Sequence, residues 1–599
     1  MDESRQPGAR SLNGVSVVVV HVRVPIKIMR SVYRLTYPGL VALLALAGCS
    51  AGHYRKSADK EAYSLLKAKS TQVKNAGTAF DIEQTNRVVL DHLPGARTTA
   101  EFLGPDAATE IGARILSLEE ALKIAVQHNR TYQSRKEELY IAALGLSLAR
   151  HQFTPLLSGR ADVRIAGQTE QAVDVIVDPV TQQPRTLLSD NLVEQQRVTG
   201  DLGLNTSWLM RDIGRLTASF STDFLRFITG DPRTVTSSQV GATFARPLLR
   251  NAGFKQQMEN LTQAERDLLY DLREFTQFRK DFSVQVATAY YGVLGNRDTV
   301  RNSFLNLQSS RKNAERTRAL AQEGRITQAD LGRLEQQELD AENAWISAVR
   351  SYKQGLDNFK LLQLGIPVST SIVLDDQELE MLTIRHPGIP VDESIQVAMA
   401  SRLDLLNSRE RHEDAMRRVD IASNFLKPQV DLVASAGFNS RQETNARFAV
   451  PDPARYRWSA GLDVDLPFDR KAERNGYRGA LIAEKRSART LEQFEDQIRL
   501  GVRESWRTLD QAKRSHEISE LGVKIAERRV EEQNLLAELG RAKAQDQVDA
   551  QNALNASKNS RTQALVTHTI ARLQFWNNMG ILYIKENGRW EELEHGKAD

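Results

Sequence analysis

A single cysteine, Cys49, serves all 599 residues, so no disulfide can form within the chain. Prolines number 17, and none lies between Pro247 and Pro367 or after Pro467. An interior proline breaks or kinks a helix, so the stretches 248–366 (119 residues) and 468–599 (132 residues) are free to run as long helices. Charge of neither sign dominates: 80 Lys and Arg stand against 76 Asp and Glu, interspersed along the chain, for a net of +4. That balance excludes the basic footprint of a nucleic-acid binder. No apolar run approaches the roughly 20 residues a spanning helix needs, and the mean hydropathy is −0.43. Catalytic signatures are missing as well. The 10 histidines are scattered, and there is no H-E-x-x-H, no G-x-x-x-x-G-K-[ST] phosphate loop, no G-x-S-x-G elbow and no Cys/His cluster. Nothing therefore points to an enzyme, a metal site or a cofactor.

The one cysteine sits behind a short apolar run, Gly39 to Ala47, which has signal-peptide length. Arg30 and Arg34 supply a positive n-region, Leu40 to Leu46 the apolar centre, and Ala47 and Gly48 a small-residue cleavage context. Leu46-Ala47-Gly48-Cys49 resembles a bacterial lipobox, which makes Cys49 the expected lipidated first residue of the mature chain. Met29 opens a conventional signal by itself, so residues 1–28 are expected to be an extension or a mis-assigned start. One acyl chain binds a bilayer only marginally, so further membrane contacts are expected downstream.

The proline-free stretches are rich in Ala, Leu, Gln, Glu, Arg and Lys, all strong helix formers. Each holds one glycine in a matching context, AQEGRITQAD around Gly324 and LAELGRAKAQD around Gly540, an internal repeat with an offset of 216. Other landmarks repeat too. Glu120–Ala125 corresponds to Glu393–Ala398 and Pro155 to Pro428, both at offset 273, while Val240–Pro247 corresponds to Ala460–Pro467 at offset 220. The chain reads as two copies of one plan: short helix, strand, strand, long helix, glycine turn, short helix. The first copy carries 53 extra residues between its strands. Residues 118–150 and 329–363 read as short helices and 254–322 as a long one of 69 residues. At 1.5 Å per residue, two short helices end to end and one long helix each span about 100 Å. Leu331, Leu334, Ala341, Ala348, Tyr352, Gly355, Phe359 and Leu362, with Trp345 in step and Glu338 as a polar intruder, form a 3-4 seam, the pattern of a coiled coil.

The strand segments alternate. Leu157, Ala161, Val163 and Ile165 oppose Ser158, Arg160, Asp162 and Arg164; Val430, Leu432, Ala434, Ala436 and Phe438 oppose Asp431, Ser435, Gly437 and Asn439. Tyr456, Trp458, Ala460, Leu462, Val464 and Leu466 likewise oppose Arg457, Ser459, Gly461, Asp463 and Asp465. Period two fits either a soluble half-buried strand or a barrel strand of about 10 residues. Four such strands beside very long helices have no large core to cover. A spanning sheet must close on itself, and barrels start at about 8 strands, so four strands per chain require oligomerisation, with three chains giving 12. In the insert, Leu202, Leu204, Thr206 and Trp208, then Leu216, Ala218, Phe220, Thr222 and Phe224, read as a hairpin turning near Gly214. An extracellular or rim extension is expected there, with six spanning strands per chain left open.

Residues 115–590 resemble the TolC-type outer-membrane efflux proteins, in the lipoprotein branch of that outer-membrane-factor family. The likeness rests on the order of several pieces: LSLEEALKIAVQHN (116–129), ARPLLRNAG (245–253), EGRITQAD (323–330), LLQLGIP (361–367), DLPFDRKAERNG (465–476) and LGRAKAQDQVD (539–549). The resemblance implies an α+β membrane protein, a homotrimer whose 12-stranded transmembrane β-barrel continues into a long α-helical coiled-coil barrel across the periplasm. It implies a non-enzymatic conduit of a tripartite efflux or secretion system, without a cofactor, joined by a periplasmic adaptor (membrane fusion) protein and an inner-membrane transporter, and embedded in outer-membrane lipid. In the family, aspartates six and nine residues after the second tip glycine line the periplasmic aperture; here these are Asp546 and Asp549. The tips Gly324, Arg325, Ile326, Thr327, with Asp330, and Gly540, Arg541, Ala542, Lys543 resemble the adaptor-docking turns. The chain departs from the best-known gate: Ala537 and Ala542 stand where that gate has tyrosine and arginine, with Arg541 as the candidate substitute at the aperture. The competing reading is a lipid-anchored periplasmic coiled-coil adaptor or scaffold without a pore. It explains the helices and the anchor but not the duplicated strand pairs.

The expected organisation is therefore 1–48 extension and lipoprotein signal peptide, 49–114 periplasmic N-terminal segment, 115–390 first efflux repeat with its insert at 168–237, and 391–599 second repeat. Residues 50–114 are polar and only weakly periodic.

Overall fold

The computed structural model describes residues 51–77, 80–83, 90–97, 100–177, 184–229, 234–324, 327–442, 444, 447–539, 541 and 543–591. The chain divides into Met1–Lys60 and Glu61–Asp599. Of the first unit only 51–60 are described, and they are helical, within α1 (Ala51–Ser70). Everything below concerns the second.

A 3-10 helix (Glu101–Glu110) leads to β1 (Arg114–Leu116), α2 (Leu118–His128) and α3 (Arg130–His151). The single helix expected over 118–150 is broken by Asn129. This residue is extended, and its side chain accepts from the Tyr132 amide at 3.0 Å while donating to the Leu362 and Gln363 carbonyls at 2.8 and 2.9 Å. One asparagine thus ends α2, caps α3 and ties both to a chain segment 233 residues away. Four strands follow, β2 (Leu156–Val177), β3 (Pro184–Met210), β4 (Gly214–Phe227) and β5 (Thr234–Pro247), then the 69-residue α4 (Phe254–Gln322).

After the turn at Gly324 comes α5 (Gln328–Asn358), ending in a π turn, Phe359–Leu364. Gly365 stops it at φ 73°, where a Cβ would lie 2.4 Å from the His128 carbonyl oxygen. Only glycine fits there. Along the seam, Leu334, Ala341, Tyr352 and Phe359 are buried as the spacing requires, and the intruder Glu338 accepts from Arg318 at 2.9 Å. Leu362 departs from the pattern: it lies in the π turn and is exposed.

After the short β6 (Ile372–Leu374) and α6 (Gln377–Glu380), the chain runs through α7 (Val391–Ser401), α8 (Leu403–Asn424), β7 (Gln429–Ser440), β8 (Pro451–Asp465), the 68-residue α9 (Lys471–Glu538) and α10 (Ala544–Asn578). A two-residue-per-strand hairpin, β9 (Tyr583–Ile584) with β10 (Trp590–Glu591), closes the described chain.

The main sheet is antiparallel with the order β2-β3-β4-β5-β7-β8. The sheet holds six strands in this chain where alternation alone suggested four with six left open. The insert does not leave the sheet: β3 and β4 pair side by side with their neighbours in continuous register.

The largest apolar core lies where α2, α4, α5 and the π turn meet, around Leu122, Tyr290, Leu294, Phe359 and Leu364. The segment before residue 115, weakly patterned in sequence, contributes Leu93, Leu103 and Ala107 to it. Arg297 fastens that segment, donating to Glu110 at 2.6 Å and the Tyr352 hydroxyl at 2.9 Å and pairing with Asp376. A second network locks α4 to α8: Asp414, almost fully buried, accepts from Tyr270 at 2.8 Å, Arg417 at 2.8 Å, Gln263 and Arg266. These donors hold its carboxyl below the usual range against the opposing effect of burial.

Candidate functional site

Two regions carry functional geometry: the sheet and the helical turns at the opposite ends of the long helices. In the sheet, alternation is joined across strands by the register. Phe244 of β5 faces Ala434 of β7, which faces Ala460 of β8; Val240, Phe438 and Tyr456 form the next-but-one row. These rows are apolar throughout. The row beside the first, on the other face, is polar: Thr243, Ser435 and Ser459, the last two hydroxyls 2.8 Å apart.

Much of the apolar face is uncovered: Trp458 is 72% exposed and Leu157, on the far edge strand, 77%. The two edge strands β2 and β8 each have one hydrogen-bonded neighbour in the sheet. An open edge is a template for another strand. No described helix is long and apolar enough to cross a membrane, a criterion that says nothing of the sheet.

Cys49, and at the tips Arg325, Ile326, Gly540 and Ala542, lie outside the described residues. Gly324 ends α4 at φ 75°, its amide donating to Ala321. Thr327 caps α5, its hydroxyl oxygen accepting from the Asp330 amide at 3.1 Å and its hydroxyl donating to the Asp330 carboxylate at 2.7 Å. The second turn is built differently. Lys543 occupies the cap position of α10 and offers no side-chain acceptor, while the exposed Arg541 bonds through its amide to the Leu536 carbonyl. Asp546 and Asp549 lie in the first two turns of α10, Asp546 partly and Asp549 fully exposed, and Gln545 donates to Asp549 at 3.0 Å. Their spacing of three puts both on one helix face.

The two hairpins touch. Arg316 near the end of α4 donates to the Ala537 carbonyl at 3.1 Å, and Gln337 of α5 donates to Asn552 of α10 at 2.9 Å. Ala537 is the position where sequence reading finds no gate tyrosine, so here a backbone carbonyl bound by a distant arginine joins the hairpins. No local pattern signals Arg316.

Sequence reading also missed a second apolar face of α9. Ile498, Val502, Leu509 and Val523 are buried within the chain. Ile482, Leu500, Ile518, Leu521, Ile525, Leu535 and Leu539 are exposed, Ile518 at 70%. At 100° per residue these seven fall within about 100° of one another, roughly opposite the buried set. The first three are spaced by 18 residues, five full turns.

No family model matches the chain, and no curated protein matches it. Solved structures do. The outer-membrane channel OprN superposes with a TM-score of 0.54 at 14% identity, over 84% of this chain and 99% of that one. The open-state MtrE outer-membrane channel of Neisseria gonorrhoeae gives 0.53 at 12% identity, over 78% and 89%. The CmeC outer-membrane channel of Campylobacter jejuni gives 0.52 at 13%, over 84% and 94%. The chain has the fold of these channels, the long helices joined to an antiparallel sheet that the sequence led us to expect.

Proposed function

We propose that this protein is the outer-membrane channel-tunnel of a tripartite efflux or secretion system, a passive conduit that works as a homotrimer. The observation that carries the reading is the sheet: one face apolar and bare, the other polar, both edges open, and one end continuous with helices of about 100 Å. In a bilayer an open strand edge leaves backbone groups unpaired at a cost of several kcal/mol each. Edge strand β2 of one copy pairing with β8 of the next removes that cost. The bare stripe on α9 supplies a matching helical contact between copies, each side chain contributing about 1.5–3 kcal/mol on full burial.

The tips then face away from the membrane. Three copies bring Asp546 and Asp549, with Arg541 nearby, to one aperture, where rings of like charge select ions. Gly324, Arg325, Ile326, Thr327 and Asp330, with Gly540, Arg541, Ala542 and Lys543, form the turns on which a periplasmic adaptor would dock and link the tunnel to an inner-membrane transporter. Lipidation at Cys49 would add an anchor to the barrel's own hold on outer-membrane lipid.

The test is reconstitution of the purified protein in planar bilayers, with crosslinking and heat-dependent gel migration. Discrete conductance steps from a trimer are expected. A lone subunit that leaves the bilayer non-conducting would overturn the proposal.

A further inference from the structure

Resting on the channel reading, we propose that the insert strands β3 and β4 are membrane-spanning staves of the barrel wall, with their apolar face against lipid hydrocarbon and their polar face against the water-filled lumen, so that each copy contributes six strands.

The register makes the argument. β3 and β4 pair without a break from Arg197–Phe227 to Met210–Gly214, and β4 and β5 from Arg215–Ala245 to Arg226–Thr234. Rows of facing residues therefore run straight through the insert into the strands on its far side. Trp208, Leu216, Phe244, Ala434 and Ala460 make one such row; Leu204, Phe220, Val240, Phe438 and Tyr456 make another. Both are apolar from end to end. The row next to the first, on the opposite face, is hydrophilic: Ser207, Thr217, Thr243, Ser435 and Ser459. A hairpin standing in water beyond the membrane has no physical reason to keep its apolar side chains on the same face and in the same rows as the spanning strands. Phe448, in the connection between β7 and β8, adds one more ring to that face, its centroid 6.3 Å from Phe220.

Depth agrees. The turn between β3 and β4 lies at the helix end of the sheet: the Trp208 indole donates to the Phe153 carbonyl just after α3, and Gly214 sits so close to Ala245 that a Cβ would meet its oxygen at 2.3 Å. The chain thus passes between the same two levels four times in succession before α4. Each paired stretch of 14 residues is about 46 Å long. At a tilt near 45° it covers about 33 Å, enough for an outer-membrane apolar band of about 25 Å.

Backbone accounting excludes a rim location as well. β2 reaches β5 only through β3 and β4. Lifting the hairpin out of the bilayer would leave β2 and β5 with unpaired edges in hydrocarbon, which lipid does not tolerate. Three copies then close an 18-stranded wall, about one and a half times the circumference of a 12-stranded one. A lumen of that size is lined by serines and threonines together with charged residues such as Arg160, Asp162, Asp201, Asp223 and Arg457, suited to hydrated solutes.

The experiment uses near-isosteric cysteines in the full-length protein reconstituted in vesicles, probed with a membrane-impermeant maleimide. Thr206→Cys and Ala218→Cys test the lipid face of the insert; Ser207→Cys and Ser219→Cys test its lumen face. Ala434→Cys and Ala460→Cys, against Ser435→Cys and Ser459→Cys, calibrate the same contrast on β7 and β8, and the unmodified chain sets the background from Cys49. Lumen-face thiols are expected to react at least 10-fold faster than lipid-face thiols on both pairs of strands. Equal reactivity on both faces of β3 and β4, with the contrast intact on β7 and β8, overturns this inference and leaves the channel standing. Loss of the contrast on β7 and β8 too overturns both.

Discussion

The two longest helices differ by one residue in length and sharply in what surrounds them. α4, 69 residues, buries side chains along nearly its whole course, including Arg273, Arg279, Lys280 and Arg297. α9, 68 residues, buries seven, on a single face. The reason lies in their neighbours: α4 packs against α3, α5, α8, α10, the 3-10 helix and the π turn, whereas α9 packs mainly on α7, α8 and α10. One helix is finished by its own chain; the other keeps an apolar face for a surface the chain does not supply. Charge sharpens the contrast. Around α4 the buried ions are fully partnered, a device that fixes one arrangement. On the bare face of α9 the apolar residues are densest from Ile518 to Leu539, where Arg528 and Glu532 intervene, while between Ile482 and Ile518 the same arc also carries Arg489, Asp496, Arg503 and Arg507.

The comparison breaks most visibly if the bare face is charged. Ile518→Asp with Leu521→Asp and Ile525→Asp would force three carboxylates into the contact, each costing several kcal/mol if buried unpaired. We expect the trimer to disappear in crosslinking while helix content by circular dichroism stays unchanged. A trimer that survives this triple change would show that α9 faces solvent or lumen, and the contrast between the helices would lose its meaning.

On the α4 side the expected loss is within the subunit. Arg297→Met removes the one cation shared by Glu110, Tyr352 and Asp376, leaving Glu110 buried without its partner. Breaking a buried pair costs about 3–5 kcal/mol. Adding Glu110→Gln should recover part of that cost, because the stranded charge is then gone. Denaturant unfolding of the two variants decides the matter, and equal stability of the single and double variants would sink the account.

Such ties explain which parts of the molecule could be read in advance. Proline spacing and a glycine turn delimited α4 at 254–322, because helix breakers act locally. The turn at Gly214 and the two faces of each strand were legible for the same reason. The break at Asn129 was not, since it depends on carbonyls at 362 and 363; nor was the Arg297 network, in which the bonded Glu110 and Tyr352 lie 242 residues apart. Strand number needed register, because alternation in Leu202–Phe224 reads the same in a rim hairpin as in a wall. The α9 stripe escaped notice because charged residues such as Arg489, Asp496 and Arg503 are interleaved with it on the same arc. For the tips, spacing put Asp546 and Asp549 on one helix face, but the Arg316 bond to Ala537 involves a backbone carbonyl, which no side-chain pattern marks.

Acid should separate the two sides next. His568 on α10 is fully buried, and neither ring nitrogen has a hydrogen-bond partner. Burial first, then the positive fields of Arg572, His386, His516 and Lys513, pushes its pKa down to about 4. His386, from the segment before α7, is lowered likewise by burial and by Lys513, with Asp510 opposing. The unfolded chain, with an ordinary histidine near 6.5, binds the proton more readily than the folded one. Stability is therefore complete above that value and falls as pH drops from about 6.5 toward 4, by at most about 1.4 kcal/mol per pH unit for one proton. Hydrogen exchange across this window should show α9 and α10 opening before α4, and His568→Phe should flatten the slope. An unchanged slope in that variant would remove His568 from the explanation.

The smallest effect is expected at the tips, where the two halves differ by one cap. Thr327 satisfies an orphan amide of α5 through its hydroxyl, and Thr327→Ala should cost about 1 kcal/mol of local helix stability. The Lys543 side chain cannot accept a hydrogen bond from the amides that open α10, and its charge adds an unfavourable term beside the positive helix end. Lys543→Ser should therefore stabilise the first turns of α10 by a similar amount, slowing amide exchange there by roughly fivefold. The first tip thus begins stiff and the second loose. Since Asp546 and Asp549 ride on that second start, an aperture built from them opens and closes on the less firmly held of the two helices. Exchange rates over 544–550 that already match those over 328–334 in the unmodified protein would show the cap to be irrelevant, and with it any difference in stiffness between the tips.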